Sequence, residues 1–216
     1  MRYKAVLFDM DGTVLDTLAD LTNAVNHILA QYGMPQRTSR EVAGFLGNGA
    51  ARLLTLSVPA GTSRETVREM LAVYQPWYDA HCAILTAPYP GIVELMEALK
   101  KAGVKQAVIS NKQDRAVRRL ADEHFPGLLE TAVGESESVR RKPNPDAVLA
   151  ALREMDVAPE DAVYVGDTEV DLLTAQNAHL DCAVVGWGFR TEAQLRAAGA
   201  GHIFQSAEEL LHWLLE

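Results

Sequence analysis

Four stretches of this sequence carry oxygen-rich or cationic side chains at positions where chemistry could occur. Asp9 and Asp11 flank Met10 and precede Gly12-Thr13; Ser110-Asn111 closes an apolar run; Lys142 precedes Pro143; Gly166-Asp167-Thr168 is followed by Asp171. Several carboxylates gathered around one lysine and one hydroxyl are unstable alone, because like charges repel and buried charge is costly. A hard divalent cation would stabilise them, and Mg2+ takes oxygen ligands, using one or two carboxylates plus substrate phosphate. Lys142 would then act as a point charge on a phosphate oxygen. Such a set suits phosphoryl transfer, where the protein aligns phosphorus with a nucleophile and neutralises the equatorial oxygens. Asp9 can attack to form an aspartyl-phosphate. Asp11 can protonate the leaving alcohol and later deprotonate the attacking water, a division of labour open to neighbouring carboxylates with separated pKa values.

The elements around these residues are predicted to bring them to one edge. Ala5-Val6-Leu7-Phe8 is an unbroken apolar run ending on Asp9, as expected of a parallel strand buried on both faces. A carboxylate is costly inside a core, so Asp9 should sit at the strand end, where open α/β sheets bind ligands. Further strands are predicted over 104–110, 128–133, 162–166, 181–185 and 202–204. Helices are expected over 91–101, 114–124, 145–155, 169–178, 192–198 and 207–215. This alternation implies a parallel sheet with crossover helices, a Rossmann-like, doubly wound α/β core. Residues 17–81 read differently, as helices only. Leu18, Leu21, Val25, Ile28, Leu29 and Tyr32 share one helical face, and Gly33 with Pro35 ends it. Ser39 and Ser63 are candidate caps, and a helix is expected from about Ala50 to Leu56. The predicted organisation is a core of residues 1–16 and 82–216, with a helical cap of 17–81 inserted after the first strand.

The 216 residues are 48% hydrophobic, enough for a substantial core, and carry a net charge of −9. That charge argues against nucleic acid and against anionic membrane surfaces as partners. Residues 17–81 hold five arginines against five acids, so all the excess negative charge lies elsewhere, and an anionic substrate needs a cation or a local positive site. Cys82 and Cys182 form neither a disulfide framework nor a metal spacing. With no signal peptide and no apolar run of membrane-spanning length, a cytoplasmic protein is expected, acting on a small phosphorylated metabolite. Its oligomeric state is left open.

Asp9-Met-Asp11-Gly12-Thr13, Ser110-Asn111, Lys142-Pro143 and Gly166-Asp167-Thr168-Glu-Val-Asp171 together resemble, in order and across the whole core, the four motifs of the haloacid dehalogenase superfamily. The insert lies where that family's helical cap lies. The resemblance implies a Mg2+-dependent phosphatase with Asp9 as nucleophile and Asp11 as acid/base. Metal would be held by the Asp9 carboxylate, the Asp11 main-chain carbonyl and Asp167, with Asp171 in the inner or outer shell. Ser110, Asn111 and Lys142 would bind phosphate, though Asn111 serves equally as a cap for the next helix. The founding dehalogenases need neither metal nor a general acid here, and Asp11, Asp167 and Asp171 favour phosphate chemistry instead. Phosphonate-cleaving members use a cap lysine, and residues 17–81 contain none.

Within the cap, Gly47-Asn48-Gly49-Ala50-Ala51-Arg52-Leu53-Leu54 is similar to the corresponding loop of phosphoglycolate phosphatases. Two glycines let main-chain N–H groups approach a small anion, and Arg52 could add a charge-assisted contact to a carboxylate; a plain helix–helix connector is the other reading. Sugar-phosphate phosphatases, a pyrophosphatase and β-phosphoglucomutase-like enzymes share the scaffold, and a non-catalytic phosphometabolite-binding protein is the alternative of another class. Asp16 reads as a cap of the first cap helix. Arg140 and Arg141 read as surface, the six histidines as structural, and Trp77, Trp187 and Trp213 as core or domain-interface residues.

Overall fold

Apolar runs short enough for strands recur between amphipathic helices, and in the computed structural model, which describes residues 2–137 and 139–216, they assemble into one parallel sheet. Its strands are β1 (Ala5–Phe8), β4 (Lys105–Gln113), β5 (Thr131–Glu135), β6 (Ala162–Gly166), β7 (Asp181–Val185) and β8 (Ile203–Phe204). Their order is β5-β4-β1-β6-β7-β8, so the winding direction reverses between β1 and β6. Both are buried along their whole length. Phe8 pairs with Val108 on one side and Val165 on the other. The carboxyl ends of β4, β1 and β6 therefore lie side by side at the switch point, the crevice where such sheets bind ligands. On one face, Leu7, Ile109, Val148, Leu152 and Tyr164 share a core cluster under helix α7 (Asp146–Glu154).

Two compact units divide the chain: one runs through Asp16 and resumes over Pro88–Glu216, the other is Thr17–Ala87. The second unit contains α1 (Leu18–Gln31), α2 (Ser39–Phe45), α3 (Gly49–Ser57) and α4 (Arg64–His81). Inside it, α1 packs on α2 and α4, and α3 packs on α4. Leu21, Val25, Ile28 and Leu29 supply the buried stripe of α1. Asp20, also buried, accepts from the main-chain N–H of Leu85 (2.8 Å) and Thr86 (2.9 Å) and from the Thr86 hydroxyl (2.9 Å), tying the unit's end to its start.

Several predicted boundaries shift for local reasons. Strand β4 runs three residues past the expected end at Ser110, through Asn111, Lys112 and Gln113, because a bulge carries the pairing on to Gln113 with Glu135. Strand β5 begins later than expected, since Leu128 closes a turn on the Phe125 carbonyl. Helix α2 is capped by Thr38, not Ser39. The Thr38 hydroxyl accepts from Glu41 N, and Glu41 Oε2 accepts from Thr38 N, a reciprocal box. Ser63 caps α4 as expected. Asp16 is not the cap of α1: it belongs to the two-residue strand β2 (Leu15–Asp16), paired with β3 (Ala87–Pro88), and the cap position falls on Thr17. Likewise α6 (Asp114–His124) starts after Gln113, which excludes Asn111 as its cap. Trp213 packs on Tyr3 and Phe204, and Trp77 stacks between His27 and His81. No helix among the described residues is long and apolar enough to cross a membrane.

Candidate active site

Asp9 continues β1 by one residue. Its N–H donates to the Val165 carbonyl (2.9 Å), and the chain then leaves the sheet. A tight turn follows, in which Thr13, Val14 and Leu15 all direct their N–H groups at the Met10 carbonyl, and Gly12 takes a φ of 84°. This turn keeps Asp11 and Thr13 close to Asp9. Asp9 is buried, with Oδ1 accepting from Met10 N (2.7 Å) and facing Lys142 Nζ (2.9 Å). Among the described residues nothing donates to its Oδ2, which is thus the oxygen available to an electrophile.

Lys142 is a buried ammonium whose three protons all have acceptors. Its Nζ lies 2.9 Å from Asp9 Oδ1, 2.8 Å from Asp171 Oδ1 and 2.9 Å from Tyr164 Oη. The Tyr164 hydroxyl in turn donates to the Ile109 carbonyl (3.1 Å). Burial alone would lower the Lys142 pKa, but the Asp171 and Asp9 carboxylates outweigh it and hold it well above the ordinary value. Burial raises Asp9 well above the usual carboxylate range against the pull of Lys142, with Asp171 and Asp167 adding to the rise.

Asp171, on the first turn of α8 (Glu169–Ala178), uses both oxygens: Oδ1 on Lys142, and Oδ2 on Thr168 N (3.0 Å) and Thr168 Oγ1 (2.7 Å). Asp167 follows β6 and accepts from the Thr13 hydroxyl (3.0 Å) and Phe189 N (2.7 Å). No cation among the described residues lies within ion-pair distance of it. Burial, then the nearby Asp171, lifts its pKa to about 7. Glycines make the approach possible: a Cβ at Gly12 or Gly188 would collide with the Asp167 carboxylate, and one at Gly166 with that of Asp171.

Carboxylate oxygens of Asp9, Asp167 and Asp171 lie within 4.8 Å of one another, all three residues being buried. With Asp11 they make four carboxylates against two ammonium groups, Lys142 and Lys112. A divalent cation would balance that excess, and an all-oxygen donor set fits Mg2+.

Lys112, outside the four motifs, joins them at the site. It extends β4 beyond Ser110-Asn111, its side chain is 4% exposed, and its Nζ meets Asp11 Oδ1 at 2.9 Å. The available signal was a lysine continuing a buried strand. Tyr164 was hidden inside an apolar run, and Phe189 contributes only main chain, which no residue type announces. Ser110 Oγ accepts from Lys112 N (3.2 Å), leaving its own proton for another acceptor. Asn111, expected among the phosphate ligands, holds the main chain of Lys142: Oδ1 accepts from Lys142 N (2.7 Å) and Nδ2 donates to Lys142 O (3.0 Å). The reason is the extended β4, which points this amide at the neighbouring loop. Trp187 Nε1 donates to Thr13 O (3.0 Å), and Arg190 pairs with Glu169 through two bonds (2.8 and 3.0 Å), so the loop after β7 also lines the site. Arg140 and Arg141 are exposed, as expected. Gly47, Asn48, Gly49 and Arg52 belong to the helical unit. Asn48 is the residue before α3, Gly47 and Gly49 have φ of 107° and 78°, and Arg52 is exposed.

A family model for haloacid dehalogenase-like hydrolases matches residues 6–185. A phosphoglycolate phosphatase of Pseudomonas aeruginosa is 36% identical over 193 residues, covering 86% of this chain and 70% of that protein. An N-acetylmuramic acid 6-phosphate phosphatase of the same organism is 30% identical over 190 residues, covering 88% and 84%. A solved structure of a candidate phosphoglycolate phosphatase from Lactobacillus delbrueckii subsp. bulgaricus superimposes with a TM-score of 0.95, at 38% identity and 99% coverage of both chains.

Proposed function

The chain belongs to the haloacid dehalogenase-like hydrolases and is a phosphatase, and from that premise we propose that it hydrolyses a small phosphomonoester of the phosphoglycolate type through a phosphorylated Asp9. The observation that carries this reading is the state of Asp9: buried at the carboxyl end of β1, its Oδ1 held by Lys142 and its Oδ2 without a partner among the described residues. An oriented carboxylate oxygen with its charge balanced on the far side is what in-line attack on phosphorus requires.

In this reading Asp9 Oδ2 forms the new bond to phosphorus while the bond to the alcohol oxygen breaks. Asp11 delivers a proton to that oxygen. Asp11 then takes a proton from water as it attacks the acyl phosphate, releasing phosphate and restoring Asp9. Lys142 opposes the rise that burial imposes on the Asp9 carboxyl and stands beside the phosphoryl group once it is transferred. The Ser110 proton is available to a phosphoryl oxygen. Asn111 acts through Lys142, fixing its main chain. Bound Mg2+, held by Asp9, Asp167 and the Asp11 carbonyl with Asp171 beside it, would neutralise charge on the phosphoryl oxygens. The Gly47-Asn48-Gly49 loop and Arg52 are assigned to substrate selection from the helical unit. The two cysteines are free, which agrees with a cytoplasmic setting.

The test is a phosphate-release screen over small phosphometabolites with Mg2+, including 2-phosphoglycolate and sugar phosphates. Turnover highest on 2-phosphoglycolate is expected. Release from no ester in the presence of Mg2+ would refute the catalytic reading, and a clear preference for a sugar phosphate would refute the substrate class.

A further inference from the structure

Lys112 is a buried ammonium that the reaction just described does not use. Its main-chain N–H donates to Ser110 Oγ at 3.2 Å, and its Nζ lies 2.9 Å from Asp11 Oδ1. Ser110 serves the phosphoryl oxygens, and Asp11 serves the oxygen of the leaving alcohol. Lys112 thus joins the two sides of the bond that breaks, with its charge on the leaving-group side.

An ammonium has three donors and can hold two carboxylates together. Lys142 does this in the same site, bridging Asp9 and Asp171. Asp11 stands within one hydrogen bond of the leaving oxygen when it acts, about 2.7 Å. A carboxylate on the carbon that bears that oxygen lies about 3 Å from it, by ordinary bond lengths. An acid group so placed comes within reach of the ammonium that already stands 2.9 Å from Asp11 Oδ1. A neutral alcohol brings no such partner.

We propose that Lys112 is a specificity residue for phosphoesters of 2-hydroxy acids, its ammonium bridging Asp11 and the carboxylate of the leaving group. The assignment rests on the phosphatase reading above and puts this selection in the core unit, in addition to whatever Arg52 contributes from the helical one.

The experiment compares 2-phosphoglycolate with 2-phosphoglycolamide, its uncharged isostere, in the presence of Mg2+. In the wild type, KM for the acid is expected to lie at least about tenfold below KM for the amide, with kcat less affected. Lys112→Met should erase that preference by raising KM for the acid, and Lys112→Arg should recover most of it. A wild type with equal KM for both esters overturns the proposal while leaving the phosphatase reading intact, and this comparison needs no variant to fold. Lys112→Met lowering kcat/KM on both esters by the same factor also overturns it, since a lysine that merely neutralises Asp11 acts alike on both. A wild type that hydrolyses other phosphoesters but neither of these overturns the substrate reading and this proposal together.

Discussion

Asn111 grips Lys142 by both of its main-chain polar groups, accepting from the N–H at 2.7 Å and donating to the carbonyl at 3.0 Å. Lys142 is thereby placed from two directions: its main chain by Asn111 at the end of β4, and its ammonium by Asp9 and Asp171. These contacts fix a loop residue at both its main chain and its ammonium, which is what precise charge placement beside a nucleophile needs.

Asn111→Ala strands the Lys142 N–H and carbonyl in a buried setting. A stability loss of about 2–3 kcal/mol is expected in urea denaturation, since leaving buried polar groups unsatisfied costs about 1–3 kcal/mol. The kcat should fall by about tenfold or more as the ammonium loses its position. Unchanged kcat and unchanged midpoint would show that the amide places nothing.

Asp9→Asn preserves the shape of the side chain but removes the anionic nucleophile. Phosphate release with Mg2+ should drop by at least about a thousandfold, as for other nucleophiles acting within a catalytic unit. Retained wild-type turnover in a folded variant would remove Asp9 from the nucleophile role.

The metal-free protein should respond to pH through Asp167. Its folded pKa, about 7, exceeds the unfolded value of about 3.9. The folded state therefore binds more protons between those values, and stability falls as pH rises through that window, with the whole penalty present above it. The raised Asp9 acts in the same direction. A cation at the triad favours the ionised carboxylates and relieves the penalty. Added Mg2+ should consequently raise Tm more at pH 8 than at pH 5. Equal shifts at the two pH values would argue against Asp167 as a ligand.

Gly188→Ala tests the close packing around Asp167. A Cβ there would stand 2.3 Å from Asp167 Oδ2 and 2.4 Å from the Gly12 carbonyl oxygen, so the carboxylate or the loop must move. A destabilisation of about 1–3 kcal/mol is expected, as for overpacking elsewhere, together with weaker Mg2+ dependence in the phosphate assay. A variant matching the wild type in both would mean that the loop shifts freely.

Local sequence was sufficient for the elements that rest on local physics. The apolar run Ala5–Phe8 ending on Asp9, the strand 162–166 ending before Asp167, and the helices 114–124, 169–178 and 207–215 stand where periodicity and terminating residues put them. The acids at strand ends were legible because a carboxylate interrupting an apolar run must leave the core. Asp16 was not legible, since its strand conformation comes from pairing with a distant segment.

Sequence by itself thus determined which residues could do chemistry and that an alternating α/β pattern would carry them to one sheet edge. Tertiary structure alone decided how they divide. The order β4-β1-β6 sets Lys112 against Asp11 and leaves Asp167 with no cation within ion-pair distance among the described residues; the Lys142 loop docks against Asn111 and brings its ammonium between Asp9 and Asp171. Those pairings join segments far apart in the chain. Strand adjacency and side-chain burial select them, and neither is encoded in any single stretch of residues.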